Sequence, residues 1–182
     1  MDYTERIIDA AVFAAEKHKL QRRKGTLCIP YINHPLKVCK LISTFGEKGV
    51  DLLVASLLHD VVEDTDTTIQ EIENIFGKRA AAIVMEVTDN MNLPQKERKE
   101  LQVIKAPRLS REAKIIKVAD KAANMLDIIT LPISWTKKRK LEYFHWSLRV
   151  FEGCKGMNDR IDEEFMKCYR EGIKKYGRKI TD

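Results

Sequence analysis

A chain of 182 residues, 44% hydrophobic and 33% charged, has the length and composition of one globular domain with a proper core. No apolar run approaches the roughly 20 residues of a membrane span, and the start, Met1-Asp2-Tyr3-Thr4-Glu5, has neither signal-peptide nor Arg-rich transit character; a cytoplasmic protein with no membrane partner is expected. The net charge of +6 favours anionic partners, but the basic clusters at residues 17–24, 137–140 and 174–179 lack the interleaved aromatics of single-strand binders, so a phosphorylated small molecule is expected rather than nucleic acid.

Helical periodicity runs through the chain. Ile7, Ala11, Ala14 and His18 predict a first helix over 4–19. A loop from Leu20 to Asn33 follows, and Pro35 suits the first position of a helix over 35–45. Residues 51–61 predict a strongly apolar central helix. Thr68-Ile69-Gln70-Glu71 is a capping-box pattern opening the next helix, with Gly77 as its stop. Further helices are predicted over 79–88 and 94–105. Ser110 caps a long one whose core stripe is Ile115, Ala119, Ala122, Leu126 and Ile129, with Lys117, Asp120, Asn124 and Asp127 on the adjoining polar face and Pro132 as its end. Residues 137–152, stopped by Gly153, and 158–170 complete the set. The basic cluster at 137–140 is expected to be a solvated helix face, and the residues from about 171 a basic, frayed tail. No strand alternation, repeat or linker is present. The expectation is a single all-α domain spanning 1–182.

Cys28, Cys39, Cys154 and Cys168 form no CxxC pair, which argues against a zinc ribbon and for free thiols. The chemistry concentrates instead in Leu57-Leu58-His59-Asp60-Val61-Val62-Glu63-Asp64. Four ionisable groups at the end of an apolar run are costly to desolvate without compensation, and imidazole with carboxylate suits a divalent zinc, iron or manganese ion. Neighbours on a helix point about 100° apart, so His59 and Asp60 can share an ion only at a bent or frayed terminus; Thr65-Asp66-Thr67 supplies one. His34, at a helix start, and Asp120, beside the apolar stripe of the long helix, are candidates to join them. His18 and His145 are expected to be structural.

Taken in order, YINHP, HDVVED and KVADKAAN resemble the HD-domain metal-dependent phosphohydrolases, and more narrowly the hydrolase domain of the RelA/SpoT homologue superfamily. The RRK before the loop, EDTDTT, FG near 76, EVTD at 86–89 and ERK near 98 belong to the same pattern, which covers about residues 5–165. The resemblance implies a single-domain helical HD fold and a stand-alone small alarmone hydrolase. It implies metal ligands at His34, His59, Asp60 and Asp120, manganese as the ion, a catalytic acidic pair at Glu63 and Asp64, and nucleotide contacts at Arg23, Lys24, Tyr31 and Asn124. The implied reaction is hydrolysis of the 3′-diphosphate of ppGpp or pppGpp to GDP or GTP and pyrophosphate. Alternatives are 2′-dephosphorylation of NADPH by the same site and a non-catalytic nucleotide-binding module. Gln95, Ala123 and Leu126 depart from the pattern at positions where relatives often carry Lys, a larger residue and Arg, and so bear on substrate identity. The oligomeric state stays open.

Overall fold

The computed structural model describes residues 2–177. Ten α-helices follow in order: α1 (Tyr3–Lys17), α2 (Asn33–Thr44), α3 (Val50–Leu58), α4 (Val61–Asp64), α5 (Ile69–Phe76), α6 (Lys78–Val87), α7 (Gln95–Lys105), α8 (Arg111–Thr130), α9 (Lys137–Cys154) and α10 (Asp159–Gly177). A 3₁₀ turn, Ala106–Arg108, joins α7 to α8. Among the described residues no strand forms beyond one isolated antiparallel bridge between Arg22 and Pro30. None of their helices is long and apolar enough to cross a membrane. The all-α single-domain expectation holds.

Two central helices organise the packing. The apolar helix α3 is buried from Leu52 to Leu58 and packs against α1, α2 and α6. The long helix α8 packs against α2, α6, α9 and α10. Its stripe of Ile115, Ala119, Ala122 and Ile129 is buried as the period requires, whereas Leu126 is 38% exposed. Phe151 and Phe165 stack at 4.2 Å between α9 and α10, each buried ring adding about 1.5–3 kcal/mol of transfer free energy.

The boundaries differ from the sequence expectation at places that matter for the site. Helix α2 begins at Asn33, so Pro35 is its third residue and not its first. This costs nothing, because the first four N–H groups of a helix have no intrahelical acceptor, and it places His34 inside the first turn. The apolar helix ends at Leu58, not 61: His59 and Asp60 form a turn between α3 and the short α4. Thr68 accepts the Glu71 N–H at 3.1 Å, but the Glu71 carboxylate turns to Lys17 at 3.1 Å, so half of the capping box forms. Gly153 does not stop α9, which runs to Cys154; a Cβ there would lie 2.7 Å from that of Ala106, so the glycine serves close approach.

The expected frayed tail is helical through Gly177. Lys175 Nζ and Tyr176 Oη donate to the carbonyls of Ile129 and Ile128 at 2.5 and 2.7 Å, capping the C-terminal end of α8. Gly172 is buried against the Phe144 ring, where a Cβ would meet Cε1 at 1.8 Å. The expectation for residues 178–182 lies outside the described residues.

Candidate metal centre and catalytic cavity

The turn between α3 and α4 brings His59 and Asp60 side by side, the bent terminus that neighbouring residues need to share one ion. His34 Nε2 lies 3.0 Å from Asp120 Oδ1 and 3.6 Å from Asp60 Oδ2; His59 Nε2 lies 3.2 Å from Asp60 Oδ2 and 3.9 Å from Asp120 Oδ1. His34, His59 and Asp120 present ligand atoms within 4.8 Å of one another, all buried. α2, the α3–α4 turn and α8 thus bring three buried donors together, with Asp60 beside the two histidines.

The donor set fits a cation there. His59 Nδ1 donates to the Ser56 carbonyl at 2.8 Å, since a carbonyl can only accept. That bond leaves Nε2 facing two carboxylate oxygens while buried and without a hydrogen-bond partner. A bare lone pair there would be repelled by the carboxylates, so the arrangement calls for positive charge at Nε2, from a proton or a metal ion. A proton answers the same demand: burial opposes ionisation, but Asp60 and then Asp120 outweigh it and raise His59 to about 9, and a metal at Nε2 would displace that proton. Backbone orientation of the distal ring nitrogen is also how ligating histidines are held. The buried cluster is therefore suited to a divalent metal.

Outer contacts hold the two aspartates, whereas His34 Nδ1 is buried without a partner. Asp120 Oδ2 accepts from Lys121 Nζ at 2.8 Å, and Oδ1 accepts from Asn124 Nδ2 at 2.5 Å. Although burial opposes its charge, Lys121, His34 and His59 hold the Asp120 carboxyl well below the usual range. Tyr31 donates its hydroxyl to Asp60 Oδ2 at 2.7 Å.

Glu63 and Asp64 follow on α4. Glu63 accepts the Asp89 backbone N–H at 2.6 Å. Burial, joined by Asp89 and Asp60 and opposed by Lys117, pushes its carboxyl up to about 7. Asp64 is exposed and accepts from Gln21 Nε2 at 2.9 Å.

All these groups face one cavity of about 720 Å³, within the usual range for a small-molecule site. Its far walls carry Lys24, Gln95, Lys99, Trp135, Lys138, Arg139, Tyr143 and Trp146. Lys24 and Arg139 lie 5.5 and 4.4 Å from the Trp135 ring, and Lys99 and Lys121 lie 4.8 and 4.6 Å from that of Trp146. The cluster at 137–140 is thus not merely a solvated face, since Lys138 and Arg139 line the cavity. Arg139, Tyr143 and Trp146 share one face of α9 at i, i+4 and i+7, a spacing that was readable in the sequence.

Arg23 lines the cavity and also makes internal contacts. Its guanidinium donates to Asp127 Oδ2 at 3.0 and 3.2 Å and to Asn124 Oδ1 at 2.6 Å, and it lies over the Tyr31 ring at 5.4 Å. Tyr31 thus lies against one face of the guanidinium, and Arg23 lines the cavity beside Lys24. Of the three departures from the family pattern, Gln95 lines the cavity, Ala123 is buried at 3% exposure and Leu126 is exposed.

A family model described as HD domain matches residues 10–143. The chain is 44% identical to the guanosine-3′,5′-bis(diphosphate) 3′-pyrophosphohydrolase MESH1 of Danio rerio over 171 residues, covering 92% of this chain and 95% of that protein. It is 48% identical to the Xenopus tropicalis protein of the same name over 166 residues, covering 88% and 93%. A solved structure of a metazoan orthologue of SpoT, described as hydrolysing ppGpp, superposes with a TM-score of 0.88 at 37% identity, covering 91% of this chain and 94% of that one. With the HD-domain match spanning most of its length and these relatives matching nearly all of it, the chain belongs to the HD-domain family, among the SpoT-like members of the RelA/SpoT homologue superfamily.

Proposed function

We propose that the protein is a metal-dependent 3′-pyrophosphohydrolase of ppGpp and pppGpp, with His34, His59, Asp60 and Asp120 as the ligands of a manganese ion. The observation that carries this reading is His59 Nε2, buried between the Asp60 and Asp120 carboxylates with no hydrogen-bond partner, at the head of a basic cavity. The relatives' activity and the mixed nitrogen and oxygen donors support the substrate and the ion. All four cysteines are free, in keeping with a reducing, cytoplasmic setting.

When bound, a divalent ion supplies Lewis acidity toward a phosphoryl oxygen and lowers the pKa of a water. The chain's own groups do the rest. Glu63, held near neutrality at about 7, takes the proton of the attacking water, the pKa match that general-base work favours. The water oxygen bonds to the inner phosphorus of the 3′-diphosphate, the bond from phosphorus to the ribose 3′-oxygen breaks, and that oxygen takes up a proton to leave GDP and pyrophosphate. Asp64, at the cavity rim, orients water or leaving group.

Lys24, Lys99, Lys138 and Arg139 offer the countercharge that a polyphosphate demands. Trp135 and Tyr143 give flat faces for the base. Arg23 acts through Asn124 on Asp120, and Tyr31 acts through Asp60. The test is to strip the protein with chelator, reload it separately with manganese, magnesium and zinc, and follow GDP release from ppGpp. Manganese-dependent GDP release is expected; chelator-resistant turnover would remove the metal from the account.

A further inference from the structure

His18 lies outside the donor cluster, yet its surroundings are not those of an ordinary core residue. It is buried at the C-terminal end of α1 with 2% exposure. Its Nδ1 sits 2.6 Å from Gln21 Oε1, and the other end of the Gln21 amide, Nε2, donates to Asp64 Oδ2 at 2.9 Å. The ring also packs on Tyr31, centroids 4.7 Å apart, and Tyr31 in turn donates to Asp60.

The direction of this chain is set by chemistry. An ionised carboxylate accepts only, so the Gln21 amide must turn its NH₂ toward Asp64 and its oxygen toward His18. That oxygen also only accepts, so His18 Nδ1 must carry a hydrogen. His18 Nε2 is buried with no partner, so a hydrogen placed there instead would be stranded at a cost of roughly 1–3 kcal/mol. Both arguments select the same ring state. The backbone fixes the link as well: Gln21 N–H donates to the His18 carbonyl at 2.9 Å, and Tyr31 N–H to the Gln21 carbonyl at 3.1 Å.

Asp64 needs such an anchor. It is exposed at the rim of the cavity that Asp60 and Glu63 also line, and an unheld side chain there would populate several rotamers. We propose that His18 and Gln21 are a positioning pair that aims the Asp64 carboxylate into the cavity, with the buried imidazole locking the orientation of the glutamine amide. The inference rests on the reading of Asp64 as part of the catalytic machinery. It assigns His18 and Gln21 no contact with substrate.

The test has two independent arms. In the first, long-range ¹⁵N NMR of the histidine rings reports which nitrogen of His18 is protonated, whatever the substrate. Protonated Nδ1 is expected, and an unprotonated Nδ1 overturns the proposal. In the second, Q21L, Q21E, H18F and H18N are compared with wild type for kcat, KM and bound manganese. Q21L removes the donor to Asp64 and should lower kcat roughly tenfold, the worth of one modest hydrogen bond, with KM and metal content nearly unchanged.

Q21E, which faces Asp64 with a second carboxylate, should fall further. H18F keeps the ring packed on Tyr31 but loses the Nδ1 donor, and should resemble Q21L. H18N retains a donor at the position of Nδ1 and should recover much of the loss. Wild-type kcat in both Q21L and Q21E, or losses that follow thermal stability alone, would overturn the pairing. Gln21 is only partly buried, so the glutamine variants should fold even if H18N does not. A wild-type protein inert on ppGpp but with His18 Nδ1 protonated would overturn the proposed reaction and leave the orienting chain standing.

Discussion

Replacing Glu63 with Gln should make the metal-free protein more stable while removing its turnover. Glu63 has a folded-state pKa of about 7 against an ordinary value of 4.5. Between those values the folded state holds a proton that the unfolded state has released, so wild-type stability falls as pH rises through that window. Below it the carboxyl is neutral in both states and the penalty is absent; above about pH 7 the penalty is complete. The interval corresponds to about 3 kcal/mol at roughly 1.4 kcal/mol per pH unit. Glu63 borders the open cavity, so water relieves part of this, and about 1–3 kcal/mol is expected. Gln keeps the oxygen that accepts the Asp89 N–H and never ionises. Denaturant unfolding of wild type and E63Q in chelator should therefore coincide near pH 4.5 and diverge by pH 8, with E63Q the more stable. With manganese restored, E63Q should bind metal and substrate yet turn over roughly 10²-fold more slowly, as for loss of a positioned general base. Equal stability at pH 8, or near-normal turnover with metal present, would refute the assignment of Glu63 as a strained proton acceptor.

Other perturbations separate the parts. H59A should lose stoichiometric manganese, measured by elemental analysis, while keeping its helical circular dichroism; full metal retention would remove His59 from the ligand set. R23A should lower both thermal stability, by roughly 1–3 kcal/mol, and kcat, because Asp127 and Asn124 lose their shared donor; Lys37, 2.6 Å from Asp127 Oδ1, limits the loss. K24A should instead raise the salt-sensitive part of KM for ppGpp and leave stability unchanged, the behaviour of a rim charge that neutralises phosphate. G172A should cost at least about 1–3 kcal/mol in thermal unfolding, since its Cβ would fall inside the Phe144 ring; an unaltered melting temperature would contradict the packing of α10 on α9.

Much of the site was legible because its groups sit where helical periodicity is informative. The polar face of α8, with Lys117, Asp120, Asn124 and Asp127, projects from the same spacing as its buried stripe, and Asp120 at the edge of that stripe reads as a ligand reaching inward. The two-residue break at His59-Asp60 was not legible as a helix end at Leu58, because nothing in the apolar run itself interrupts a helix. Helix α10 extends past the expected end at 170 because the basic run beyond it reads as a solvated tail, whereas Lys175 and Tyr176 bond to the end of α8 and Gly172 admits the Phe144 ring. That Arg23 also braces Asp127 is hidden in the sequence, because the two lie 104 residues apart. The role proposed for His18 is hidden in the same way: Gln21 meets Asp64 across 43 residues, and no local pattern announces it. Pairings of this kind are decided by tertiary packing, and the sequence separation conceals them.

The central claim is that the metal cluster and its acidic pair cut the bond between the ribose 3′-oxygen and the inner phosphorus of the 3′-diphosphate. It is tested most directly by incubating purified, manganese-loaded protein with ppGpp and resolving the products by ³¹P NMR and chromatography. GDP and pyrophosphate in equal amounts, lost on chelation and in E63Q, are the predicted result. Release of inorganic phosphate alone, or intact ppGpp beside rapid 2′-dephosphorylation of NADPH under the same conditions, would contradict it.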